Sequence, residues 1–344
     1  MFLAGDIGGT NTRVAIFEGD PNHLTAVVAH VYPSRAHQGL AEIAMDFVSK
    51  HRLPLDAASF GIAGPIRNGR CETSNLPWVI DAAEMAAELG LPNVTLLNDL
   101  EANAHGVALL QESDYEVVNV GDPDSVGNRA LISAGTGLGE AGLLFENGSY
   151  RPVASEGGHA DFGPNNEIQV ELLRYVLAEF GHVSYERVLS GPGLLNIYRF
   201  LRDTGRATEP GWLADEIAEG DPAACIAKAA MEAKAGIAEQ ALEIFISIYG
   251  AEAGNVALQM MALGGIFIGG GIAPKIASRL MGPTFMQAFA AKGRMGKMLE
   301  TVPVRIIMND KTALIGAARV AALSRMTLPI AESAAGPVSA VNTR

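Results

Sequence analysis

The sequence predicts an α/β protein built as two domains around a central cleft. Three observations carry that expectation. A strand, a glycine-rich turn and a second strand occupy residues 3–17, and the same pattern recurs at 130–145. Elsewhere, short β-rich runs alternate with apolar residues at helical spacing. The chain has 344 residues, enough for two domains of ordinary size.

The first stretch contains Gly5-Asp6-Ile7-Gly8-Gly9-Thr10-Asn11-Thr12-Arg13. Glycines at 5, 8 and 9 permit positive φ and close approach of a ligand to the backbone. Successive N–H groups in such a turn form a concave anion site, and Thr10 and Asn11 add side-chain donors. Asp6 would repel a phosphate unless a divalent cation lay between them. Mg²⁺ binds in that way, through few carboxylates plus substrate phosphates. A P-loop is excluded because no Gly-Lys-Ser/Thr opens a helix here. A dinucleotide fingerprint is excluded because a strand follows, with Val14 and Ile16 alternating against Arg13 and Ala15. The stretch reads as a hairpin whose turn holds phosphate.

Composition narrows the functional classes. Apolar residues make up 49% and charged residues 18%, which is globular, and the net charge of −13 argues against a nucleic-acid or anionic-membrane surface. The two cysteines, Cys71 and Cys225, offer neither zinc spacing nor a disulfide framework, which fits a reducing cytoplasm. Residues 1–30 show no signal-peptide pattern. No apolar run is expected to reach the roughly 20 residues of a membrane span. Residues 262–273 come nearest and are broken by Gly264, Gly265, Gly269, Gly270 and Gly271.

The remaining elements follow in order. Residues 26–32 extend the opening hairpin as a third strand. Leu40, Ile43, Ala44, Phe47 and Val48 give 40–50 a helical stripe. A strand at 58–62 leads into an irregular crossing at 71–80. Asp81 caps a helix over 82–89 that Gly90 stops. A strand at 94–97 precedes a helix over 100–110. The second hairpin, Gly135-Thr136-Gly137-Leu138-Gly139 at its turn, ends at the Asn147-Gly148 signal. Its G-x-G-x-x-G match at 137–142 is rejected because a strand follows. Residues 151–200 read as loop-rich and 213–260 as helical. A strand at 263–271 gives way to a helix at 274–281, with Pro274 near its start. After a strand at 304–308, Asp310 caps a helix over 311–323. The Ser/Ala/Pro-rich tail at 324–344 reads as disordered.

Five stretches together resemble the bacterial glucokinases of the actin/hexokinase/Hsp70-like superfamily. They are Gly5 to Asn11, Leu97-Asn98-Asp99, Gly135 to Gly139, Glu156-Gly157-Gly158-His159-Ala160-Asp161-Phe162, and Glu186-Arg187-Val188-Leu189-Ser190-Gly191-Pro192-Gly193. Gly269-Gly270-Gly271-Ile272 resembles the family's adenosine motif. The likeness is collinear over 3–323. A related family of sugar kinases and repressors shares the first hairpin but carries a zinc-binding cysteine cluster, which this chain lacks.

The resemblance implies a two-domain actin-like ATPase (ribonuclease H-like) fold. One domain is discontinuous, 1–109 plus 310–323, and the other is 110–309. It implies an ATP-dependent glucokinase that uses Mg²⁺. ATP would lie on Gly5, Asp6, Ile7, Gly8, Gly9, Thr10, Asn11, Gly135, Thr136, Gly137, Gly269, Gly270 and Gly271, with Asp6 reaching the metal through water. On the residues alone, Asp99 reads equally as a helix cap and as a general base at the carboxyl end of a strand. The resemblance assigns it as the base. Asn75, Asn98, Asp99, Glu156, His159 and Glu186 then match sugar-binding positions. Carboxylates accept from sugar hydroxyls, and an imidazole can donate or accept. A homodimer in the cytoplasm, with glucose and ATP as partners and neither nucleic acid nor membrane, completes what the family implies. Kinases for other hexoses, a non-catalytic sugar sensor and a chaperone-like ATPase are the competing readings.

Overall fold

The computed structural model of the chain describes residues 1–73 and 75–327. Its framework is a pair of mixed sheets with related strand pairing. In the first, the strand Phe2–Ile7 pairs antiparallel with Asn11–Asp20, which pairs antiparallel with His23–Pro33. On its other side Phe2–Ile7 runs parallel to Ala57–Ile62, which runs parallel to Val94–Asn98. A sheet buried on both faces needs continuous apolar strands, and Phe2–Ile7 is buried at every position except Asp6. Register sets Asp6 opposite Arg13 on one neighbour and Gly61 on the other.

The second sheet repeats that plan. Arg129–Ala134, Leu138–Glu146 and Ser149–Ser155 form the antiparallel meander. Gly265–Gly269 and Val304–Ile307 add in parallel, and Tyr115–Asn119 closes the far edge antiparallel. Both glycine turns therefore join the first two strands of a meander.

Helices cover the sheets according to their apolar stripes. Leu40, Ile43, Ala44 and Phe47 of Leu40–His51 pack on one face of the first sheet. The other face meets Thr312–Thr327, where Leu314, Ala317 and Ala318 pack on Ala4, Ala15 and Phe17. This helix also crosses Asp99–Val107 backbone to backbone: a Cβ on Gly316 would overlap the Ala102 carbonyl. Asp99–Val107 in turn touches the second sheet, with Ala104 and Val107 in a cluster with Leu131, Leu143 and Phe267. It is the element shared by both halves. The largest core lies under the second sheet, around Phe245, Tyr249, Phe285 and Phe289. Fully burying an aromatic of this size contributes about 1.5–3 kcal/mol.

Several expectations need correction. Residues 151–200 are not loop-rich; they carry the helices Glu167–Phe180 and Gly191–Asp203. The first is capped by Asn166, and the Gly-Pro-Gly opening of the second hides a start that Ser190 caps. The crossing at 71–80 contributes to a small sheet of Ile66–Arg67, Arg70–Glu72 and Val79–Asp81. The apolar helix Gly236–Gln259 is long enough to cross a membrane, contrary to the composition reading, and most of it is buried in the second core. The last helix runs to Thr327, so 324–327 are helical, and the rest of the tail lies outside the described residues. Asp310 does not cap that helix. Asn309 accepts from Lys311 N–H at 2.9 Å, and Asp310 bonds to Arg13 instead.

Candidate active site

The first glycine turn is held by its own backbone and by a neighbour the sequence did not single out. Gly8 N–H donates to the Asn11 carbonyl at 3.0 Å. Ser34, buried after His23–Pro33, donates its hydroxyl to Gly8 O at 2.8 Å and its N–H to Thr10 O at 2.9 Å. None of Gly5, Gly8 and Gly9 has a positive φ, so the conformational reason given for them fails. Their absent side chains matter sterically. A Cβ on Gly9 would stand 2.9 Å from Asn75 Cβ, and one on Gly5 would stand 2.6 Å from the Phe60 ring. Gly5 is thus a packing residue inside the strand, and Asn75 lies against the first turn.

Asp6 sits at the end of that strand in a cluster of charge. Arg13 Nη1 lies 3.7 Å from Asp6, while Arg13 donates to the Asp310 carboxylate at 2.8 Å and to its carbonyl at 2.6 Å. Burial pushes the Asp6 carboxyl up to about 6, Arg13 opposes the shift, and Asp99 and Asp310 add to it. The carboxylates at 6, 99 and 310 therefore share one negative region that a single guanidinium only partly neutralises. Among the described residues no three His, Cys, Asp or Glu side chains converge closely enough to hold an ion unaided. That donor set fits Mg²⁺ bound through water and phosphate rather than a caged metal.

The second turn closes through Gly135 N–H to Gly137 O at 2.8 Å, and Gly191 N–H reaches Gly135 O at 2.8 Å. A cavity of about 500 Å³ opens beside it. Gly135, Thr136, Gly271 and Ile272 line it, together with Leu194, Leu195, Ala223 and Ala227, which sequence reasoning missed. Gly270 has φ 85°, and a Cβ there would collide with the Ala134 carbonyl, so the chain can turn at this point only with glycine. A largely apolar cavity beside a glycine turn suits a purine nucleoside whose phosphates run toward the turn.

Glu156, His159 and Glu186 come together beside the second turn. His159 Nε2 lies 3.9 Å from Glu156 and Nδ1 lies 4.0 Å from Glu186. Glu156 is 90% exposed, whereas Glu186 is anchored by accepting from Leu138 N–H at 3.0 Å. Gly137 makes that anchoring possible, since a Cβ there would stand 2.5 Å from Glu186 Oε2. The sugar-type cluster and the second turn are one unit.

Asp99 begins the helix that follows Val94–Asn98. Asn98 is the cap: it accepts from Leu100 N–H at 2.9 Å and donates to Gly64 O at 3.2 Å. Asp99 also accepts from Leu100 N–H, at 2.9 Å. Burial raises its carboxyl above the usual range, and the hydrogen bonds only partly offset this. A partly desolvated carboxylate is a better proton acceptor. Leu100 beside it packs against Gly139, which brings the start of this helix to the second hairpin.

Comparisons with known proteins agree with this geometry. A family profile described as Glucokinase matches residues 3–324. The chain belongs to the glucokinase family. A relative named glucokinase from Nostoc punctiforme is 41% identical over 337 residues, covering 94% of this chain and 99% of that one. A Synechocystis glucokinase is 38% identical, covering 94% and 98%. Among solved structures, a glucokinase from an Antarctic psychrotroph is 30% identical with a TM-score of 0.83, covering 93% and 98%. Family membership and the actin-like ATPase fold are thereby shown.

Within that family framework, Arg13, Ser34 and Asp310 are the polar residues that sequence reasoning passed over. The pairing of Arg13 and Asp310 spans 297 residues, and no local pattern announces it. Ser34 left one signal, a serine directly after a strand that reaches back to the glycine turn.

Proposed function

We propose that the chain is an ATP-dependent glucokinase. It transfers the γ-phosphoryl of MgATP to the C6 hydroxyl of D-glucose, giving glucose 6-phosphate and ADP. The observation that supports this reading is the position of Asp99, close enough to Asp6 at the first turn to raise its carboxyl and followed by Leu100, which packs against Gly139 of the second hairpin. Phosphoryl transfer asks little covalent chemistry of a protein; it needs in-line positioning, charge stabilisation and a base for the acceptor hydroxyl.

Each role follows from local chemistry. Glu156, His159, Glu186 and Asn98 orient the sugar hydroxyls away from C6, and Asn75 closes the pocket near the first turn. Asp99 takes the C6 hydroxyl proton as the oxygen attacks the γ-phosphorus and ADP departs. The adenosine occupies the cavity beside Gly135, Thr136 and Gly271, and the two turns hold the phosphates with backbone N–H groups. Asp6 would hold hydrated Mg²⁺, which supplies charge neutralisation for the phosphates. The halves 1–109 with 310–323 and 110–309 would close over the substrates and exclude water, which otherwise competes as acceptor. A cytoplasmic homodimer belongs to the same reading; light scattering after size exclusion tests the dimer.

The experiment is a coupled ADP-release assay with MgATP and glucose, mannose, fructose and N-acetylglucosamine. Glucose should give the highest kcat/KM. Preference for another hexose would reassign the acceptor, and glucose binding without ADP release would replace the enzyme with a sensor.

A further inference from the structure

A second cavity, of about 620 Å³, lies at the far end of the helix that begins with Asp99, away from the glycine turns. Its walls come from both halves: Val107 ends that helix, while Arg129, Phe267 and Arg305 stand on the second sheet. The Arg129 guanidinium lies 4.2 Å from the Tyr150 ring centre and 5.5 Å from that of Phe267. Stacking of this kind covers the faces of the guanidinium and leaves its N–H edge to bond in plane.

Both arginines are half-buried, and their side chains have no anionic partner among the described residues. Among the described residues, neither the Arg129 nor the Arg305 side chain makes a hydrogen bond or has a carboxylate within 4 Å, and Arg129 Nε is covered from water with no acceptor. Glu112 also lines the cavity and pairs with neither. A donor atom shielded from water without an acceptor, as Arg129 Nε is, calls for an explanation. In a chain of net charge −13, a cavity with two unpaired guanidiniums is a local inversion of sign.

We propose that this cavity binds a small metabolite through its phosphoryl group. Two planar forks with donors only match the oxygens of a phosphate monoester, and the volume is that of an ordinary small-molecule site.

The test is calorimetric titration with glycerol 3-phosphate and with inorganic phosphate at constant ionic strength. Glucose and a non-hydrolysable ATP analogue fill the catalytic cleft throughout. Saturable binding is expected, weakened about tenfold or more by Arg129→Gln and by Arg305→Gln. Absence of saturable binding to the wild type overturns the proposal whether or not a variant folds. So does binding that survives in both variants. Succinate binding as tightly, with the same arginine dependence, would make this a carboxylate site and overturn the phosphoryl assignment.

Discussion

Glu140→Gln should change how stability depends on pH. Glu140 and Glu252 are 3% and 2% exposed and face each other beneath the loop that carries Glu156 and His159. A Cβ on Gly157 would overlap the Glu140 carboxylate, so loop and carboxyl are in contact. Glu252 accepts from Asn255 at 2.7 Å, Asn255 donates to the Tyr185 hydroxyl at 2.9 Å, and Lys292 donates to Asn255 at 2.6 Å. Burial, and then the charge of Glu252, raise the Glu140 carboxyl well above the usual range, so it keeps its proton at neutral pH. The unfolded chain releases that proton near its reference value of about 4.3. Between these values the folded state holds one more proton, so its stability falls as pH rises, by about 1.4 kcal/mol per pH unit. From pH 5.5 to 7.5 this amounts to about 2.7 kcal/mol. Glutamine keeps the shape, donates to Glu252 and does not titrate. Urea unfolding of both proteins at pH 5.5, 6.5 and 7.5 should therefore show the variant gaining on the wild type by about that amount. Asp6 titrates in both proteins and cancels. A difference that stays constant across the range would refute the shared-proton account.

Three further outcomes follow from the site. Gly137→Ala displaces Glu186 from Leu138 N–H and so from the sugar; losing one charged hydrogen bond to the ligand costs roughly 1.5–3 kcal/mol, so the glucose KM should rise about tenfold or more. An unchanged KM would detach Glu186 from the sugar. Arg13→Gln removes the cation that opposes the rise at Asp6, so the acid limb of kcat/KM should move to higher pH by about one unit; an unmoved limb would show that Arg13 does not govern Asp6 in solution. Glu156→Gln exchanges a pure acceptor for one that also donates. The gap in kcat/KM between glucose and 2-deoxyglucose should narrow with the KM for ATP nearly unchanged, and a common fall for both sugars would assign Glu156 to closure instead.

What could be read from the sequence depended on how local its cause was. Both hairpins were legible because strand alternation and a glycine turn are short-range patterns, and 82–89 was legible because Asp81 and Gly90 bracket it. Glu156, His159 and Glu186 were reached through motif order, and the structure sets His159 near both carboxylates. The positive φ expected of the first turn's glycines is absent, and Gly5 makes room for Phe60, a neighbour known only once Ala57–Ile62 is paired. The helices within 151–200 were hidden because glycine and proline at 191–193 are turn signals elsewhere, and here Ser190 makes them a helix start. Arg13 with Asp310, and Arg129 beside Tyr150 and Phe267, depend on contacts across the fold that no window of sequence contains.

The most direct test of the central claim is Asp99→Asn, measured by calorimetry with glucose and by steady-state ADP release with MgATP. The variant keeps the helix start, since Asn98 supplies the cap. Glucose affinity should stay near that of the wild type while kcat falls by about 10²–10⁴, the usual cost of losing a general base. A variant that binds glucose and turns over at close to the wild-type rate would contradict Asp99 as the base, and with it the mechanism derived from this site.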